Sequence, residues 1–147
     1  MNKCIFLLLS LLLVFSCATE KLEYEEPEVS LEAYQIEEGF ELQVVASEPF
    51  LEAPVAIDFD TQGRIWVAEM RGYMTNINGD DEDKPSGTIS IMEDLDGDGV
   101  TDHAKIFMDG LVLPRALALV YDGLLYAEPP KLWFVEIEND KPGKKVL

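Results

Sequence analysis

The sequence predicts an all-β fold built from four-stranded β-propeller blades. Three observations carry that expectation. Past an acidic N-terminal stretch, the apolar residues fall in short runs rich in β-branched and aromatic side chains. A strand–glycine turn–strand motif then occurs twice at an offset of 60 residues, with Pro54/Pro114, Ala56/Ala116 and Gly63/Gly123 in register. Each copy ends in an aromatic residue followed closely by Ala-Glu, at Glu69 and Glu128, after one deletion in the second copy. Four antiparallel strands per repeat is the unit of a propeller blade.

The elements follow in chain order. Residues 1–16 open with a short basic start, and residues 5–15 form an almost unbroken apolar run of eleven residues. That run covers about half of a ~30 Å hydrocarbon core, too little for a stable span but the length of a signal-peptide core. It ends at Ser16-Cys17, which resembles the lipobox of bacterial lipoproteins, in which the cysteine is the lipidated residue. An ordinary signal peptide with an incidental cysteine is the alternative. Only Cys4 and Cys17 occur, so disulfides take no part beyond the leader. Residues 17–38 read as a solvated tether, because residues 18–38 hold eight glutamates and one lysine and few apolar groups.

Residues 39–147 form the expected partial propeller. Residues 40–46 begin with the two-residue alternation of a half-buried strand, expected to complete the last blade in a full-length propeller and to be poorly anchored in this segment. The first motif copy supplies two strands around Gly63, and residues 87–93 and 104–108 supply two more. The loop 71–86 makes this repeat longer than the usual ~40–50 residues. Strands are expected again at residues 115–120, 124–127 and 132–137. One blade and most of a second do not close a ring. The expectation is therefore the N-terminal part of a longer propeller, with a self-contained sandwich of seven or eight strands as the alternative. Trp66, Tyr126, Trp133 and Phe134 lie within strand runs and are expected to pack the blades.

With 29 acids against 11 bases the formal charge is −18, which disfavours nucleic acid and is compatible with divalent cations or simply with solubility. The densest negative charge is MEDLDGDGVTD, between two apolar runs. Carboxylates at Asp94, Asp96, Asp98 and Asp102, with the Val100 carbonyl, match positions 1, 3, 5, 9 and 7 of a calcium loop, and Gly99 sits where that loop turns sharply. Lys105 replaces the bidentate glutamate at position 12. A structural Ca²⁺ site is expected here, and an acidic hairpin turn is the alternative. His103, the lone histidine, reads as a solvated turn residue.

In a propeller, the loops after second and fourth strands share one face. Arg71, Tyr73, Arg115 and Lys131 border those loops and are candidates for an anionic ligand. Pairing of Arg71 and Arg115 with Glu69 and Glu128 is the alternative.

Three stretches together, GFELQVVASEPFLEAPVAIDFDTQGRIWVAEMRGY, EDLDGDGVTD and FMDGLVLPRALAL with AEPPKLWF, closely resemble bacterial membrane-bound dehydrogenase domain proteins. These are similar to the glucose/sorbosone dehydrogenase group. The resemblance implies a six-bladed propeller that can hold pyrroloquinoline quinone (PQQ), a sugar or alcohol substrate, further blades, and a c-type haem domain downstream. No Cys-x-x-Cys-His occurs, so no haem attaches to this segment. Two functions follow as expectations. One is part of a lipid-anchored, dehydrogenase-like envelope protein with a structural calcium loop and no assignable catalytic base here. The other is a non-catalytic, calcium-stabilised propeller that binds carbohydrate or a partner protein.

Overall fold

The structure, a computed structural model, describes residues 30–147. The signal peptide, most of the tether and the Cys17 lipidation reading lie outside the described residues. The fold is all-β, as expected: eight strands in two antiparallel four-stranded sheets that do not close on each other. The first sheet has the order β1 (Pro54–Phe59), β2 (Ile65–Glu69), β3 (Gly87–Glu93), β4 (His103–Leu111). The second has β5 (Ala116–Val120), β6 (Gly123–Glu128), β7 (Lys131–Glu138) and β8 (Lys141–Val146). Every strand pairs with its sequence neighbour, so each sheet is a meander, the form of a blade.

The two sheets stack with β1 beside β5 at one end and β4 beside β8 at the other. Trp66, Ile89, Ile91, Phe107 and Leu111 of the first sheet meet Leu124, Tyr126 and Val135 of the second in one core. Trp66 and Phe107 meet edge to face, with ring centroids 4.8 Å apart. Full burial of such side chains contributes about 1.5–3 kcal/mol each. Tyr126 is 1% exposed, and burial pushes its hydroxyl pKa up to about 12. The stacked strands are also bonded: the Leu119 N–H on β5 donates to Asp58 Oδ2 on β1 at 2.7 Å.

The sequence repeat is a structural repeat. Ala53 and Leu113, one residue before each motif proline, both adopt left-handed φ, 49° and 48°. The Glu52 N–H donates to Glu69 Oε1 at 2.7 Å, and the Val112 N–H donates to Glu128 Oε1 at 2.7 Å. Residues 52 and 112 are again 60 apart. In each blade the glutamate ending the second strand therefore clasps the chain as it enters the first. The second carboxylate oxygen reaches the third strand, or the side chain on it: Thr88 and Ser90 donate to Glu69 Oε2, and Trp133 Nε1 to Glu128 Oε2.

Residues 40–46 form no strand in this segment, and their backbone is held to the acidic turn by a bond from the Thr101 N–H to the Val45 carbonyl at 2.8 Å; the completing role expected of them belongs to the full-length propeller. Two expectations are corrected. The second blade is complete, because KPGKKV forms β8 in spite of its poor β-formers, paired to β7. His103 is the first residue of β4 rather than part of the turn, and its Nδ1 lies 2.9 Å from Glu93 Oε2. That contact follows from register, since Glu93 and His103 are paired across the ladder.

Candidate functional site

The acidic turn joins β3 to β4, as expected, and spans residues 94–102. Its carboxylates fold the loop by capping backbone donors. Asp94 accepts the N–H of Gly97 at 2.7 Å and of Gly99 at 2.9 Å, and Asp102 accepts that of Leu95 at 2.7 Å. Glycines at φ 82° (Gly97) and 88° (Gly99) let the chain turn where L side chains are strained. The result brings one carboxylate oxygen from each of Asp94, Asp96 and Asp102 within 4.8 Å of one another. Oxygens across a Ca²⁺ ion stand about 4.6–5.2 Å apart, twice the metal–oxygen distance, so these donors fit one coordination sphere. Hard carboxylate oxygens are also the donors that Ca²⁺ selects.

Asp98, the fourth acid of the pattern, is not in this group. Its side chain accepts the Val100 N–H at 2.8 Å, and its carbonyl accepts from Gln43 Nε2 at 3.1 Å. The spacing in sequence did not distinguish a carboxylate that faces its neighbours from one that closes a local turn.

The four candidate anion ligands do not converge. Arg71 Nη2 donates to the buried Glu69 at 2.8 Å, which is the pairing alternative for that residue. Burial by itself would raise the Glu69 pKa. Donors from Ser90, Arg71, the Glu52 N–H and Thr88 outweigh burial and hold it below the usual value. Arg115 does not pair with Glu128, whose oxygens are taken by Val112 and Trp133. Instead Arg115 and Tyr73 line one pocket of about 260 Å³ with Val55 and Met70. Lys131 stands apart, its Nζ 5.4 Å from the Trp133 ring centroid.

The residue that the sequence reading passed over is Arg64. Its Nε donates to Asp60 at 2.7 Å, and its two terminal nitrogens grip Asp140 at 2.7 and 2.9 Å. Lys105 Nζ donates to both Glu93 and Asp140 at 2.8 Å. Asp140 sits on the two-residue turn between β7 and β8, where Asn139 and Asp140 both have positive φ, 52° and 58°. Turns of that kind match the twist of a hairpin and favour Asn and Asp. The hydrogen bonds from Arg64 and then Lys105 hold the Asp140 carboxyl well below the usual carboxylate range. One cluster thereby ties the second blade's last turn to three elements of the first. The signal for it was present in Asp60-x-x-Gly63-Arg64, a charged pair across a turn, but its partner 76 residues on was not foreseeable from local pattern.

Residues 26–144 match the model of a protein family described as a domain of unknown function, DUF7133. No curated protein matches the chain in sequence.

Proposed function

We propose that this chain, which belongs to the DUF7133 family, is a divalent-cation-binding, propeller-like module of a cell-envelope protein. The observation that carries the reading is the meeting of Asp94, Asp96 and Asp102 oxygens within 4.8 Å on a loop between two strands. Those three residues would hold Ca²⁺, with water completing the six to eight oxygens the ion takes. The bound charge would offset the repulsion among three neighbouring carboxylates and stiffen the β3–β4 connection. The envelope location rests on the signal-peptide and Cys17 pattern of the sequence.

Isothermal titration of Ca²⁺ into the full chain tests the proposal. A dissociation constant at or below about 1 mM is expected, in the range of extracellular calcium modules. Asp102→Asn should weaken it about tenfold, worth about 1.4 kcal/mol. Asp98→Asn should leave it within about twofold, which corresponds to about 0.4 kcal/mol. Absence of uptake at millimolar Ca²⁺ refutes the reading.

A second reading is favoured by the Arg115–Tyr73 pocket. Arg115 is exposed and, among the described residues, pairs with no carboxylate in a chain rich in them. We infer an anion there, and the sequence resemblance supplies a candidate class, a quinone carboxylate of a sugar- or alcohol-dehydrogenase-like protein. Quenching of tryptophan fluorescence by added PQQ, lost in Arg115→Ala, supports it; equal quenching in the variant removes it.

A further inference from the structure

A cavity of about 410 Å³ lies apart from both the acidic turn and the Arg115 pocket. It is a groove between the two sheets, at the end where the β1–β2 and β5–β6 turns emerge. Its volume lies within the usual range of small-molecule sites. We infer that this groove binds an alkylated ammonium cation of the tetramethylammonium type.

Three aromatic side chains line it: Phe59 at the end of β1, Trp66 on β2 and Tyr121 in the β5–β6 turn. Trp66 is buried, whereas Phe59 is 59% exposed and Tyr121 is 106% exposed. Tyr121 also sits at φ 53°, the first position of a two-residue hairpin turn. Glycine or asparagine is the ordinary choice at such a position, and a tyrosine there is strained. A large ring held in a strained conformation, with no packing in return, is the pattern of a residue kept for contact with a ligand. The negative faces of aromatic rings attract a cation, and a set of such rings is how quaternary ammonium groups are recognised. Methyl groups on the nitrogen suit apolar walls, because they leave no N–H in need of an acceptor.

The charges around the groove have the matching sign. Arg64 lies in its wall, bonded to Asp60, Glu93 and Asp140, and Lys105 shares the last two. That cluster holds three carboxylates for two permanent cations, with His103 also against Glu93. Asp122 adds a further carboxylate to the groove, and its side chain has no hydrogen-bond partner among the described residues. It is the counter-ion that an entering cation would meet. An anionic ligand would instead face Asp60 and Asp122 with no free cation among the described residues of the groove. A bare Ca²⁺ ion would find aromatic walls where it needs six to eight oxygens. An organic cation uses both the rings and the carboxylate. The inference does not rest on the cation loop or on the Arg115 pocket.

Saturation-transfer NMR on the full chain tests it, with tetramethylammonium as the probe, tert-butanol as a neutral probe of similar size, and ammonium as a competitor. Transfer to tetramethylammonium should exceed that to tert-butanol about threefold or more, the ratio that one cation–π contact supplies. Ammonium at equal concentration should not displace it. Tyr121→Gly should reduce the signal about threefold or more while melting no lower than the parent, because it relieves the strained turn. Tyr121→Phe keeps the ring and should keep the signal, and Asp122→Asn should weaken it about as much as Tyr121→Gly does. No transfer to tetramethylammonium, equal transfer to both probes, displacement by ammonium, or an unchanged signal in Tyr121→Gly and Asp122→Asn would overturn the inference.

Discussion

Replacing Glu69 by alanine should destabilise the fold more than any other single carboxylate loss. The side chain is fully buried and serves four donors: the Glu52 N–H, Thr88, Ser90 and Arg71. Alanine leaves the three buried or half-buried donors and the guanidinium without their acceptor. Removing one partner of a buried, hydrogen-bonded charge pair costs about 3–5 kcal/mol. With a urea slope of about 2 kcal/mol per molar, the unfolding midpoint should fall by about 2 M. Glutamine keeps the shape but turns an amide N–H₂ toward donors, so Glu69→Gln should cost about half as much. Glu128→Ala is the internal comparison, since Glu128 holds the same place in the second blade, is half-buried and serves two donors. Its loss should cost about 1–2 kcal/mol. Circular dichroism in a urea series gives all three values. A Glu69→Ala variant within about 1 kcal/mol of the parent, or a larger loss in Glu128→Ala, would show that Glu69 does not clasp the first blade.

The remaining predictions concern pH and the two motif glycines. Glu69 and Asp140 both have depressed pKa values, so the stability they contribute is present above the unfolded carboxylate value of about 4 and is lost as pH falls through the lower folded values. Asp140→Asn should flatten that acid limb and cost only about 1 kcal/mol at neutral pH, less in molar salt, because a third of the side chain faces water. Gly63 and Gly123 occupy the same repeat position for different reasons. Gly63 has φ 81° and open space around a Cβ, so Gly63→Ala should cost about 1–2 kcal/mol, and Gly63→Asn less. At Gly123 a Cβ would lie 2.3 Å from Phe134 Cζ and 2.7 Å from the Val135 carbonyl, so Gly123→Ala and Gly123→Asn should both cost about 2–3 kcal/mol or more. Thermal melts of the four variants check the ordering.

Strand positions up to β7 were legible because their apolar residues are β-formers and because the motif repeats. β8 was not, since its lysines, proline and glycine reveal nothing of a partner strand, and only the ladder to β7 makes it a strand. Residues 40–46 differ in the other direction: their alternation suits a strand, but among the described residues no strand pairs with them, and the blade expected to do so is not among these two sheets. The repeated Ala-Glu was visible as a pattern but not as a clasp, since the donors at Glu52 and Val112 are backbone groups with no sequence signature. For the candidate cation site, the acids were visible and their number was not; three of the four carboxylates meet, and Asp98 closes its own turn. Arg71 and Arg115 looked alike in sequence and part company in space, one anchored on Glu69 and the other beside Tyr73. Charge pairing across distant segments is set by how the sheets stack, which local pattern does not carry.

The grip of Arg64 and Lys105 on Asp140 has a bearing on how the polypeptide emerges from the ribosome. During synthesis the first meander is out long before the hairpin that carries Asp140, and until then Arg64 and Lys105 share only Glu93, lacking the second of their two common counter-ions. Docking of the late hairpin completes that ion set and, in the same movement, brings Val135 onto the shared core. Joining of these two sheets should therefore be one concerted step, in which the ion set and the shared core are completed together.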